Sequence, residues 1–334
     1  MAKPECEQRI PELLEVGSAH VARCIRWRDT NSLEVSLPQI PPRAAGQEPL
    51  LKVEGLCVEH GTRRRAARVV HNVDLQLGRS ECLALIGESG SGKTTIARCI
   101  AGLHAPAEGQ ITFDGRLLAA TAQQRPKDAR RRIQYVFQSP YDSLNPRRTV
   151  RDQVARPARM LLGLSAAAAE KTVKGLLERV RLPAGLAARF PGELSGGERQ
   201  RAAIARALAA EPDLLICDEI TSALDVSVQA AVLELLEELR EELGLAMLFI
   251  THDLGLVSSV ADRGAVLQHG RICETAPVRN LLDSPATEYT AQLLSAAPRL
   301  QSSLLEENPA SSPARPQSPH PSTSSALGAP GGLS

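Results

Sequence analysis

Aromatic residues are scarce in this chain: four Phe, three Tyr and one Trp among 334 residues. That is too few for a platform on which nucleic-acid bases could stack. Charge of one sign is also lacking, with 39 Lys and Arg against 38 Asp and Glu and a net charge of +1. Such a balance leaves no field for non-specific capture of nucleic acid or anionic lipid. No uninterrupted apolar run approaches the roughly 18 residues of a membrane span. The opening Met1-Ala2-Lys3-Pro4-Glu5-Cys6 has no apolar core behind its lysine, so a secretory signal is not expected. The seven cysteines, an odd number spread over a long chain, argue against a disulfide framework and for a reducing cytosol. No segment repeats, which excludes a solenoid.

What is present divides into three stretches. Residues 1–49 are polar and end in Pro38-Gln39-Ile40-Pro41-Pro42, the composition of a linker. Residues 50–300 alternate strand-like and helix-like patterns. Residues 301–334 are dominated by Ser, Pro, Ala and Gly without periodicity, and disorder is expected there. In the middle stretch Val73, Leu75 and Leu77 alternate with polar neighbours, as in a half-buried strand. Cys82 to Ile86, Leu214 to Cys217 and Leu245 to Ile250 are short, wholly apolar runs, the signature of central parallel strands. After Gly92, the residues Ile96, Cys99, Ile100 and Leu103 predict one apolar helix face; Val228, Val232, Leu235, Leu236 and Leu239 predict another. Strands alternating with helices imply an α/β fold with a mainly parallel sheet. From about 149 to 190 the pattern is helical only, with Val150 and Val154 followed by Val173, Leu176, Leu177 and Val180.

Three features carry chemistry. Gly87-Glu88-Ser89-Gly90-Ser91-Gly92-Lys93-Thr94 sits between a predicted strand and a predicted helix, where glycines let backbone N–H groups converge on phosphate oxygens. Lys93 is expected to reach the β- and γ-phosphates and the Thr94 hydroxyl to ligate Mg²⁺. An apolar strand then ends in Asp218-Glu219. Asp218 can hold the metal's shell and Glu219 can polarise a water, though both residues also suit a helix cap. Third, Leu194-Ser195-Gly196-Gly197-Glu198 precedes the helical pattern of Ala203, Ile204, Ala207 and Leu208. This reads either as a second anion-binding turn or as a glycine turn capped by Ser195. One nucleotide does not need two phosphate cradles, which suggests that the second serves a nucleotide bound to another copy.

With these residues in order, residues 50–300 resemble the ATP-binding cassette (ABC) ATPases. The resemblance implies a P-loop NTPase domain with a mainly parallel core sheet, an antiparallel β subdomain and a helical subdomain at about 149–195. It implies ATP and Mg²⁺ as cofactors. Residues 87–94 with Thr95 would be the Walker A loop, and Gln138 the Q-loop glutamine, a further metal contact. Ser195, Gly196, Gly197 and Glu198 would belong to the signature, Asp218 and Glu219 to Walker B, and Ser222-Ala223-Leu224-Asp225 to the D-loop. His252 would be the switch histidine, catalytic together with Glu219 and Gln138. His60 stands where an aromatic ring usually stacks on adenine, with less area to offer. Ile220 replaces a proline that usually follows the Walker B glutamate.

Finer runs, Gln138-Ser139-Pro140-Tyr141-Asp142-Ser143-Leu144-Asn145-Pro146, Thr221 to Ala230, and Glu288-Tyr289-Thr290 through Ala297-Pro298, are similar to the oligopeptide/dipeptide importer ATPases. That likeness implies a head-to-tail cassette dimer, either of two copies or with a paralogue. It also implies permease subunits contacted by the segment after Gln138, an indirect link to a periplasmic or extracellular solute-binding protein, and no nucleic-acid partner. The expected place is the cytoplasmic side of the cell membrane, peripherally attached. Cys6, Pro11, Leu13, His20 to Cys24 and Trp27 resemble the end of a preceding cassette with half of a Cys₄ cluster site, and no bound cluster is expected. The other readings are a soluble cassette acting on ribosomes or DNA and a partner that binds ATP without turning it over. The remaining cysteines, Cys57, Cys82, Cys99, Cys217 and Cys273, are expected to be small core residues.

Overall fold

A computed structural model describes residues 14–17, 20–22, 48–61, 67–139, 143–222 and 224–296. The expectations for Cys6, Pro11, Leu13, Cys24 and Trp27, for Pro140, Tyr141, Asp142 and Ala223, and for 301–334 lie outside the described residues. Strands β1 (Leu14–Gly17) and β2 (His20–Ala22) pair antiparallel as a separate two-stranded sheet.

Strands β3 (Leu51–His60), β4 (Ala67–Leu77), β6 (Glu108–Phe113) and β7 (Arg116–Leu117) form an antiparallel sheet in the order β4-β3-β6-β7. In β4, Val73, Leu75 and Leu77 are buried while Asn72, Asp74 and Gln76 are exposed, because side chains alternate faces on a pleated strand. The larger sheet holds β5 (Cys82–Ile86), β8 (Ile133–Val136), β9 (Leu214–Asp218), β10 (Ala246–Thr251), β11 (Arg263–Gln268) and β12 (Arg271–Pro277). Its order is β12-β11-β5-β10-β9-β8, with every pair parallel except the β11–β12 edge.

The wholly apolar strands are buried on both faces. Cys82, Ala84 and Ile86 pack with Cys217, Met247 and Phe249 in one core, while Leu83 and Leu85 pack with Ile216, Leu248 and Ile250 in another. That double burial explains why β5, β9 and β10 show no polar alternation. The second core is closed by α1 (Lys93–Ala101) through Ile96, Cys99 and Ile100, and by the antiparallel sheet. Leu103 does not belong to that face. Gly102 caps α1 at φ 75° and Leu103 beyond it is 52 % exposed, since the left-handed residue turns the chain off the helix axis.

After the short α2 (Lys127–Arg132) come α3 (Val150–Pro157), which runs into a π turn at Ala158–Leu162, and α4 (Ala166–Arg179). Two single-turn 3₁₀ segments, Ala184–Ala188 and Pro191–Glu193, lead to α5 (Gly196–Leu208). Helices α6 (Val226–Leu243) and α7 (Leu254–Val260) join α3, α4 and α5 on the first core. The chain then adds α8 (Val278–Asp283) and α9 (Glu288–Ala296). Cys57, Cys82, Cys99 and Cys217 are buried and Cys273 is half-buried. Burial pushes the Cys99 and Cys217 thiols up to about 12, so they behave as inert core groups.

Candidate functional site

Sheet order sets the site. β5, β10, β9 and β8 are adjacent and parallel, so their carboxyl ends lie side by side along one rim. β5 leads into the loop 87–92, β10 into His252, β9 into Glu219 and β8 into Gln138. Residues far apart in sequence are therefore gathered at one edge.

The loop after β5 needs its glycines. Gly87 has φ 151°, and a Cβ there would lie 2.2 Å from the Leu267 carbonyl oxygen of β11. Gly92 caps α1 at φ 106°, a conformation that is costly for residues with a Cβ. Inside the loop the Lys93 ammonium donates to the carbonyl oxygens of Gly87 and Glu88, both at 2.7 Å. Burial lowers the Lys93 pKa, opposed by the nearby Glu219, Asp218 and Glu88 carboxylates. The Ser91 hydroxyl is buried and has no hydrogen-bond partner among the described residues. A buried, unsatisfied hydroxyl costs free energy, and a phosphate oxygen is an acceptor that would satisfy it.

Across the rim, Asp218 is 2 % exposed. Its Oδ1 accepts from the Thr94 hydroxyl at 2.9 Å and its Oδ2 from the Tyr135 hydroxyl at 2.6 Å. Burial raises the Asp218 pKa and the Glu219 charge adds to the rise, while the two hydroxyl donors and Arg98 act against it. A carboxylate whose charge is poorly supported by its surroundings suits a cation. With the Thr94 hydroxyl beside it, the donor set fits a hard, oxygen-ligated ion.

Glu219 occupies a left-handed backbone conformation at φ 45°. Its N–H donates to the Ile250 carbonyl at 3.0 Å, and the Ser222 N–H and hydroxyl both donate to the Glu219 carbonyl. Left-handed geometry at a non-glycine residue costs about 1–3 kcal/mol and persists where the surroundings over-determine it. The side chain is aimed by two partners: Gln138 Nε2 donates to Oε2 at 2.6 Å, and His252 Nδ1 lies 3.5 Å from Oε1. His252 is 58 % exposed on its side chain and Glu219 only 15 %, so the histidine faces solvent beside a shielded carboxylate. A cavity of about 80 Å³ opens beside this pair. Ile220 is buried.

Ser195 caps α5. Its hydroxyl accepts from the Glu198 N–H at 3.3 Å, and the Glu198 carboxylate accepts from the Ser195 N–H at 2.8 Å, which makes a reciprocal capping box. Those bonds hold the Glu198 pKa low, the backbone N–H of Ser195 contributing most. A Cβ on Gly196 would approach Leu224 and one on Gly197 would lie 2.7 Å from Val228, so the small residues let the turn sit close against the start of α6. Among the described residues no hydrogen bond joins 195–198 to 87–94. At the far side, His60 ends β3; its Nε2 shares a 3.2 Å hydrogen bond with the Thr95 hydroxyl.

Structure adds contacts that the sequence pattern does not show. Tyr135 contacts Asp218, and its presence inside a buried strand, where a hydroxyl needs a partner, was the available signal. His104 lies with its ring centroid 4.8 Å from that of His60. Tyr289 accepts a hydrogen bond from the Glu88 N–H at 3.3 Å, a contact that nothing local in the sequence signals.

Residues 70–222 match the family described as ABC transporter. A protein of Brucella ovis, named as a proposed peptide import ATP-binding protein, is 45 % identical over 253 residues, covering 75 % of this chain and 80 % of that one. One from Brucella abortus with the same kind of name is 45 % identical over 237 residues, 71 % of each chain. Among solved structures, cbiO1 from Clostridium perfringens, part of the ABC transporter complex cbiONQ, superposes with a TM-score of 0.63 at 28 % identity, over 71 % of this chain and 92 % of that one. The cassette MJ0796, a dimer bound to ADP and Pi after hydrolysis, gives 0.61 at 29 % identity over 69 % and 99 %.

Proposed function

This chain belongs to the ABC transporter family of ATPases, and we propose that it energises import of peptides or a related small solute through a membrane permease. The observation that carries the reading is the convergence of the 87–94 loop, Asp218, Glu219, Gln138 and His252 on one sheet rim. The relatives named for peptide import support the solute class. A soluble cassette acting on ribosomes or DNA is not favoured by those relatives or by the near-neutral charge.

In this reading the loop N–H groups, Lys93, the Ser91 hydroxyl and Thr95 bind the triphosphate of ATP, and His60 meets the adenine. Thr94, Asp218 and Gln138 would hold Mg²⁺. That ion, when bound, would neutralise charge developing on the phosphate oxygens. Glu219 takes up a proton from, or orients, the attacking water. Gln138 and His252 keep its carboxylate turned toward the rim, and His252, beside that carboxylate, would contact the γ-phosphate. Intact Lys93, Asp218, Glu219 and His252 argue against a non-catalytic partner.

The turn 195–198 is read as the cradle offered to a nucleotide on a second cassette. Residues 50–300 are read as the cassette, with 1–49 and 301–334 outside it. Among the described residues no helix is long and apolar enough to cross a membrane, so attachment at the cytoplasmic face would run through the permease. A groove of about 510 Å³ beside α3 supports that docking. Arg148, Arg156 and Arg159 line it without an ion pair among the described residues, and Met160 there is largely exposed. The segment joining the groove to the site is anchored: buried Gln153 accepts from Asn145 N–H and donates to the Arg148 carbonyl, while Arg206 donates to the Ser143 carbonyl.

The test is ATP binding and hydrolysis by the full chain. Specific activity should rise with protein concentration as two copies complete each other's sites, and Lys93→Ala should abolish tight ATP binding. Flat, near-zero activity despite ATP binding would replace self-pairing with a paralogous partner. Unchanged ATP affinity in Lys93→Ala would remove the phosphate-loop assignment.

A further inference from the structure

The C-terminal part of the fold is tied to the phosphate loop at three points. The Leu267 carbonyl of β11 lies against Gly87, the Gly270 N–H donates to the Ser91 carbonyl at 3.0 Å, and the Tyr289 hydroxyl accepts from Glu88 N–H. The first two ties come from the β11–β12 hairpin. The third comes from a helix 201 positions away along the chain.

Helix α9 is itself held with unusual care. The Glu274 carboxylate on β12 accepts from Ala286 N–H at 2.8 Å, Thr287 N–H at 3.1 Å, the Thr287 hydroxyl at 3.1 Å and the Thr290 hydroxyl at 2.6 Å. Burial alone would raise the Glu274 pKa, yet these donors together hold it below the usual carboxylate range. Thr290, next to Tyr289, is fully buried. A charged group is thus spent on fixing the first turn of α9, the turn that presents Tyr289.

We infer that Tyr289 is a positioning residue for ATP binding: its hydroxyl, held in place through Glu274, secures Glu88 and thereby fixes the phosphate loop. The inference rests on the ATP-site reading above. Three of the six residues 87–92 are glycines with positive φ, so an untethered loop has much conformational freedom to lose on binding. Fixing it beforehand lowers that cost and appears as affinity rather than as chemistry. Tyr289 touches neither Glu219 nor Asp218 by any hydrogen bond among the described residues, which separates its effect from turnover.

The experiment is Tyr289→Phe in the full chain, which removes one oxygen and keeps the ring. The dissociation constant for ATP, read by calorimetry, should rise roughly three- to tenfold, the range for one lost hydrogen bond. Turnover at saturating ATP should stay within about twofold, so that KM moves and kcat does not. Amide exchange over 87–92 should quicken, while the melting midpoint stays within about 2 °C. Glu274→Gln should shift ATP affinity the same way. Unchanged affinity and exchange in Tyr289→Phe, or a fall in kcat alone, overturns the inference while the ATP site stands, provided that Lys93→Ala still abolishes binding. Retained binding in Lys93→Ala would instead overturn the site itself.

Discussion

Gln138 and Glu219 are joined by a 2.6 Å hydrogen bond although 81 positions separate them in the chain. Each sits just past the end of its strand, and β8 and β9 are parallel neighbours. The amide donates, so it fixes the direction in which that carboxylate oxygen points. His252 approaches the other oxygen from β10. Glu219 is therefore oriented from both sides, with its backbone strained to match.

Glu219→Gln keeps an oxygen that can accept from Gln138 but has no basic group. ATP affinity should stay within about twofold, while turnover should fall at least about 10²-fold, the usual worth of a general base. Steady-state hydrolysis beside equilibrium binding checks this. Turnover near the parent value would take Glu219 out of its role.

Two glycines in one loop make contrasting cases. Gly87→Ala would drive a Cβ into the Leu267 backbone carbonyl, whereas Gly90 at φ 81° has open space around it. Gly90→Ala should cost only the left-handed conformation, about 1–2 kcal/mol. Gly87→Ala adds a clash that a paired strand cannot relieve, so its melting midpoint should be lower and its ATP binding lost by more than tenfold. Equal melting curves for the two variants would contradict this account.

Asp218 gives a pH prediction. Burial raises its folded pKa above the ordinary carboxylate value, so the native state holds the proton more tightly than the unfolded chain. Stability from this group therefore declines as pH climbs from about 4 through the raised value, and the cost is fully present above it. Asp218→Asn escapes that cost. Its melting midpoint should exceed the parent's at pH 8, with the gap shrinking toward pH 4.5, while hydrolysis is lost. A gap of constant size across that range, or one of opposite sign, would show that ionisation of Asp218 is not what costs stability.

The sequence by itself determined the local chemistry of the site. Glycine spacing at 87–92, the apolar runs at 82–86, 214–217 and 245–250, and Ser195 three places before Glu198 are all readable because backbone conformation, double-faced burial and helix capping are decided within a few residues. Leu103 shows the limit of that reading: helical spacing continued past Gly102, but the left-handed cap ended the helix and left the leucine in solvent. Tertiary structure alone decided which pieces meet. The order β5-β10-β9-β8 aligns Lys93, His252, Glu219 and Gln138 on one rim. The same fold brings Tyr135 to Asp218, His104 to His60 and Tyr289 to Glu88. Such contacts need their partners within a few ångströms, and no local pattern of residue types encodes that proximity across roughly 40 to 200 positions; the packing of strands and helices does.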